Sequence, residues 1–92
     1  MTAFPDTAKP RLASKARLKW DSVRNKPLLL FPEGLLVLNP TANEVLTLCD
    51  GQRTLGELVE NLKQRFDNPA IDTDVRALLS RLADKGLVTI SD

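Results

Sequence analysis

The sequence predicts an α+β fold in which a three-stranded antiparallel sheet precedes three α-helices. Three observations predict it. Residues 28–38 hold two strand-length apolar runs, Leu28-Leu29-Leu30-Phe31 and Leu35-Leu36-Val37-Leu38, joined by Pro32-Glu33-Gly34. Ahead of them Arg17-Leu18-Lys19-Trp20-Asp21 alternates polar with apolar, as a half-buried strand does. After Asn39 the apolar spacing changes to the 3.6-residue period of helices.

Taken in order, residues 1–14 contain Pro5, Pro10, small residues and scattered charge without either apolar period, and are expected to be a flexible tail ahead of a folded domain over 15–92. The first strand, 17–21, places Leu18 and Trp20 on one face. Ser22 to Lys26 makes a polar turn, and the strands near 28–31 and 35–38 follow across a tight connection suited to Pro32 and Gly34. Neither run of this hairpin alternates. A sheet with one wet face alternates, so an apolar hairpin has both faces covered or one face awaiting a partner.

Asn39 is a good helix N-cap and Pro40 a favoured first helical residue, and Ala42, Val45, Leu46, Leu48 and Cys49 form an apolar stripe ending at Asp50-Gly51. Thr54-Leu55-Gly56-Glu57 reads as a capping box opening a second helix with Leu55, Leu58, Val59, Leu62 and Phe66 on its stripe. Asn68-Pro69 breaks it. Asp72 or Thr73 is expected to cap a third helix carrying Val75, Leu78, Leu79, Leu82 and Ala83 as far as Gly86, and Leu87 to Ile90 either forms a short strand or packs. Three one-sided helices cover one face of the sheet, an arrangement of winged helix-turn-helix type. The second apolar face, or the edge strand beside the third helix, is left as the binding surface.

The 92 residues contain no histidine and no tyrosine, which removes the commonest general base and zinc ligand. Cys49 is the one cysteine, so no internal disulfide forms, and its place on an apolar stripe favours a buried thiol over a nucleophile. No enzymatic activity, cofactor or metal site is expected. The longest apolar run is far short of the roughly 20 residues of a membrane span, and the N-terminus lacks a signal-like apolar core, so the chain reads as cytoplasmic and not membrane-bound. Net charge is +1, yet residues 1–39 hold seven basic and three acidic side chains and residues 40–92 six and nine. A basic sheet region of this kind can steer an acidic peptide or subunit.

The ordered set Arg17-Leu18-x-Trp20-Asp21, Leu29-x-x-Pro32-Glu33-Gly34, Leu38-Asn39-x-x-Ala42, Leu48-Cys49-Asp50-Gly51-x-Arg53-Thr54, Asp74-Val75 and Lys85-Gly86-Leu87-Val88 resembles the D component of pyrroloquinoline quinone (PQQ) biosynthesis, PqqD, over residues 17–88. Pro27 departs from that pattern, in which a residue with a backbone donor is more usual. The resemblance implies a stand-alone recognition element of the ribosomally made, post-translationally modified peptide (RiPP) pathways, with a winged helix-turn-helix fold and no catalysis of its own. It implies a peptide chaperone that binds a precursor peptide, the A component, and presents it to a radical S-adenosylmethionine (SAM) enzyme, the E component. It also implies that the peptide adds as a strand beside the third strand, in a cleft shared with the third helix. Leu35, Leu36, Val37 and Leu38 would form one wall, and Val75, Arg76, Leu79 and Ala83 the other, with Arg76 available to an acid of the peptide.

Two other classes fit the same pattern. A winged helix can bind DNA, here through Arg76, Arg81 and Lys85, but Asp72, Asp74 and Asp84 share that segment and the helical half is net acidic, where phosphate contacts need excess positive charge. No nucleic acid is therefore expected. The apolar hairpin can instead pair with its own copy in a structural homodimer, so both monomer and homodimer stay open.

Overall fold

The computed structural model describes residues 4–91. β2 (Arg17–Asp21), β3 (Lys26–Phe31) and β4 (Gly34–Val37), numbered after an earlier strand β1 (Lys9–Leu12), form the expected antiparallel meander in the order β2-β3-β4. The register puts Leu18, Leu29 and Leu36 in one cross-strand row, facing the helices. Leu29 is fully buried there, with Leu18 and Leu36 packed at the margin of the core. The alternate rows, Arg17-Leu30-Leu35 and Lys19-Leu28-Val37, occupy the opposite face. Leu28 is buried on that face but lies outside the main core cluster, and Leu35 and Val37 are about half exposed, at 46% and 49%. The doubly apolar hairpin therefore does leave one apolar face without helices over it.

Pro27 lies inside β3, which begins at Lys26 and not at Leu28. The strand tolerates it because its carbonyl accepts the Leu38 N–H at 2.9 Å, and the donor it lacks would face a point where β4 has already ended.

The helices follow their caps. Asn39 Oδ1 accepts the Ala42 N–H at 2.7 Å and Pro40 opens α1 (Pro40–Leu48). The Thr54 hydroxyl accepts the Glu57 N–H at 3.2 Å, and the Glu57 carboxylate accepts the Thr54 N–H at 2.9 Å, closing the capping box of α2 (Leu55–Arg65). α3 (Ile71–Asp84) corrects the expectation of a cap at Asp72 or Thr73. It starts earlier, from Ala70, with no side-chain cap. The reason is upstream: Asn68 accepts the Ala70 N–H through its side chain at 2.9 Å and the Ile71 N–H through its carbonyl at 3.1 Å, so the chain is already turning before Asp72. Gly86, at φ 74°, reverses the backbone after α3. Leu29 and Val45 with Leu58, Leu62, Val75, Leu79 and Leu82 make the shared core.

The flexible tail expected over residues 1–14 is corrected over Lys9–Leu12, which form β1; residues 1–3 lie outside the described residues. β1 pairs antiparallel with β5 (Val88–Ser91), matching Leu12 to Val88, which also resolves the C-terminal segment as a strand. On its other side β1 meets the α1–α2 connection, where the Leu12 N–H donates to the Cys49 carbonyl at 3.2 Å and the Gly51 N–H to the Pro10 carbonyl at 3.1 Å. Farther back, the Ala8 carbonyl accepts the Leu55 N–H at 2.8 Å, and Ala8 and Pro10 are buried. The segment is held because it supplies backbone partners that the α1–α2 turn and β5 would otherwise lack.

Candidate functional site

The three-stranded sheet has two outer edges, and they differ in chemistry. β2 carries Arg17, Lys19 and Asp21, the charged side chains with which edge strands discourage further pairing. β4, Gly-Leu-Leu-Val, carries no charge. Its backbone is also sorted by direction. Since the Leu38 N–H bonds to Pro27 and the register pairs Leu29 with Leu36, the amides of Leu36 and Leu38 face β3, and those of Leu35 and Val37 face outward. An incoming strand would find the N–H and C=O groups of Leu35 and Val37 presented for pairing.

Beside this edge lies a depression of about 370 Å³ lined by Leu36, Val37, Leu38 and Asn39, by Leu78, Arg81 and Leu82 of α3 with Lys85 just after it, and by Ala42 of α1. Leu36 and Leu78 are partly buried, so the trough has an apolar floor and a basic outer wall. A second depression of about 380 Å³ continues it past Asn39, Ala42, Leu78 and Arg81 toward Asp74 in the first turn of α3 and Asn68 just before it.

The expected wall residues are distributed differently. Leu35 to Leu38 lie at the edge as anticipated. Val75 and Leu79 are buried at 1% and 0% and belong to the core behind the trough. Arg76 and Ala83 stand on the other flank of α3. Arg76 bonds to Asp72 and, at 2.7 Å, to Asp6, beside Gly56 and Glu57 of α2. Those bonds, first to Asp72 and then to Asp6, raise its already high pKa. The physical reason is helical geometry: at about 100° per residue, Leu78, Arg81 and Lys85 share one side of the core stripe and Arg76 and Ala83 the other. The α3-side residues that line the trough without having been expected there include Leu78, Arg81 and Lys85. A helical wheel groups them together, but it does not say which flank meets the sheet edge.

A second apolar depression, of about 810 Å³, lies at the end of the sheet between Trp20, Pro27, Val37, Pro40 and Phe66. Trp20 is 55% exposed there, so the indole is not the core residue that strand alternation suggests.

The chemistry available for catalysis is limited. Burial, reinforced by the charge of Asp50, pushes the Cys49 thiol up to about 12, which keeps it protonated near neutrality. Hydrogen bonds from the Gln52 and Arg53 amides hold Asp50 below the usual carboxylate range, and those from Thr54 do the same for Glu57, so both act as local caps. Among the described residues no group of three or more metal-ligating side chains converges, and no helix is long and apolar enough to cross a membrane.

Comparison with known proteins adds independent findings. A family model described as coenzyme PQQ synthesis protein D (PqqD) matches residues 28–88. A PqqA binding protein of Methylococcus capsulatus is 35% identical over 88 residues, covering 96% of this chain and 94% of the relative. One of Rhodopseudomonas palustris is 41% identical over 86 residues, covering 91% and 84%. A bifunctional coenzyme PQQ synthesis protein C/D of Methylorubrum extorquens is 42% identical over 86 residues, and the match spans 23% of that longer protein. The solution NMR structure of the PqqD part of Methylobacterium extorquens PqqCD, described as a functional, stand-alone RiPP recognition element, superposes with a TM-score of 0.78 at 40% identity over 96% of each chain.

Proposed function

The chain belongs to the PqqD family, and from that premise we propose that it is a non-catalytic peptide chaperone of PQQ biosynthesis. It binds the precursor peptide PqqA as a fourth strand on β4 and presents it to the radical SAM enzyme of the pathway. The observation that carries this reading is the uncharged free edge of β4 beside the α3 trough. Strand addition draws affinity from main-chain bonds and selectivity from pockets for alternate side chains. Here the outward groups of Leu35 and Val37 supply the bonds. Leu36, Leu38 and Leu78 receive one set of peptide side chains, and Leu30, Leu35 and Val37 the other.

The names of relatives at 35–41% identity support PqqA as the ligand. The fusion to a C component in one relative supports work inside the same pathway. Magnitudes agree: micromolar binding needs about −8 kcal/mol. Three or four leucine-sized contacts offer roughly 1.5–3 kcal/mol each, from which ordering the peptide removes about 2–5 kcal/mol.

The test is a titration of labelled protein with PqqA, followed by backbone amide NMR. Shifts concentrated at residues 35–39 and 78–85 are expected. Absence of any shift at millimolar peptide would overturn the proposal, and shifts confined to the Arg76 flank would move the groove to the other side of α3.

A further inference from the structure

Resting on the peptide-binding reading above, we propose that Arg81 and Lys85 form a carboxylate-seating pair, so that the strand taken up by β4 must carry an acidic side chain on its α3-facing side. Charge is the argument. Of the six cations in residues 40–92, four are already answered: Arg53 by Asp50, Lys63 by Glu60, Arg65 by Glu44 and Arg76 by Asp72 and Asp6. Arg81 and Lys85 have no such carboxylate among the described residues, and both line the trough. They stand one helical turn apart at i and i+4, close enough for one carboxylate to lie between them.

Their surroundings set the chemistry. Leu36, Leu78 and Leu82 line the same trough, so an acid seated there is partly withdrawn from water, where a guanidinium pairs with it through two parallel N–H bonds. A strand repeats its direction every second residue, so the acid must be an even number of positions from the apolar side chain that meets Leu36 and Leu78. The trough is also polar along its length. It ends at Asp74, whose carboxylate accepts from the Asn68 side-chain amide at 3.3 Å, so its two ends favour opposite charges on the peptide and select one strand direction. The occupant is thus an extended peptide whose apolar and acidic side chains stand two or four positions apart, in either order, with the acid toward the C-terminal end of α3.

The experiment is a double-mutant cycle by calorimetry at low salt, using PqqA as the probe. On the protein side the variant is R81Q with K85Q, and on the peptide side each Asp or Glu of PqqA is changed in turn to Asn or Gln. The protein variant is expected to bind PqqA about tenfold more weakly. One peptide substitution is expected to cause the same loss against the unaltered protein and little further loss against the variant. The unaltered pair should also weaken with salt, and the variant pair much less. Full affinity of the variant, or losses that simply add for every peptide substitution, would overturn the pair while leaving peptide binding intact. The peptide substitutions keep the test decisive even where the protein variant loses helix content. Failure of the unaltered protein to bind PqqA overturns the chaperone reading itself, and the seating pair with it.

Discussion

Replacing Val37 with proline separates the two jobs of β4. The Val37 N–H points away from β3, because the inward bonds of this hairpin belong to Leu36 and Leu38. Proline at 37 removes that outward donor and no ladder bond. An edge strand is the one place in a sheet where this is tolerated, and the preceding Leu36 is already in the extended conformation that a following proline requires. The fold should therefore lose about 1 kcal/mol or less, a fall in melting temperature of about 4–8 °C at most for a domain of this size.

Binding should suffer more. A carbonyl of the added peptide strand would face a ring methylene in place of a donor. Leaving a polar group unpaired in an interface costs about 1–3 kcal/mol, which is roughly a 5- to 150-fold loss of affinity. Two controls bracket the result. Val37→Ala keeps the donor and trims a side chain that is half exposed, so it should weaken PqqA less than fivefold. Leu36→Pro breaks the bond to Leu29 and displaces a core-margin side chain, so it should destabilise the fold by at least about 2–3 kcal/mol. Calorimetry with PqqA, alongside thermal melts, checks all three. A folded Val37→Pro protein that binds as well as Val37→Ala would refute strand addition at this edge.

Four further outcomes are expected. Thr54→Ala should cost about 1 kcal/mol in thermal or denaturant unfolding by removing the hydroxyl that accepts the Glu57 amide. Because the Thr54 bonds lower the Glu57 pKa in the folded state, that group's contribution is present above its unfolded pKa and lost as pH falls through the lower folded one, so Glu57→Gln should flatten the acid limb of stability against pH. Cys49 has the opposite sign: its folded pKa rises from 9.0 to about 12, so stability should decline as pH climbs across that window, Cys49→Ala should remove that part of the decline, and thiol reagents at neutral pH should label it only on unfolding. Deleting residues 1–14 should destabilise the protein by about 3 kcal/mol or more, measured by urea unfolding, since it strips β5 of its partner and exposes the groups that Ala8 and Pro10 cover.

How far the sequence reveals these features depends on how local their causes are. The hairpin, the Asn39 cap and the Thr54–Glu57 box are legible because each is decided by residues within a few positions of one another. β1 is not. Lys9-Pro10-Arg11-Leu12 has a proline at its second position and no alternation, and its partner lies at the far end of the chain, so neither propensity nor period marks it. The start of α3 is hidden for a related reason: Ala70 is no capping residue, and Asn68 does its work from two positions upstream. Trp20 alternates correctly yet faces an open depression between the start of α1 and the end of α2, a matter of helix placement and not of strand pattern.

The two flanks of α3 show the same limit with functional consequence. In the sequence Arg76, Arg81 and Lys85 are three similar cations on one helix, and any of them suits an acidic ligand. Packing divides them. Arg76 turns toward α2 and is occupied by Asp72 and by Asp6 from the N-terminal segment, a long-range tie that helps seat that segment beside Gly56. That occupation leaves the opposite flank as the basic wall beside an uncharged strand edge. A charge reversal at Arg76 should therefore loosen the attachment of the N-terminal segment with little direct effect at β4, whereas the same change at Arg81 should act at the trough and spare the fold. The distinction follows from which carboxylates each cation reaches: fastening on one side of the helix, and on the other the carboxylate seat proposed above.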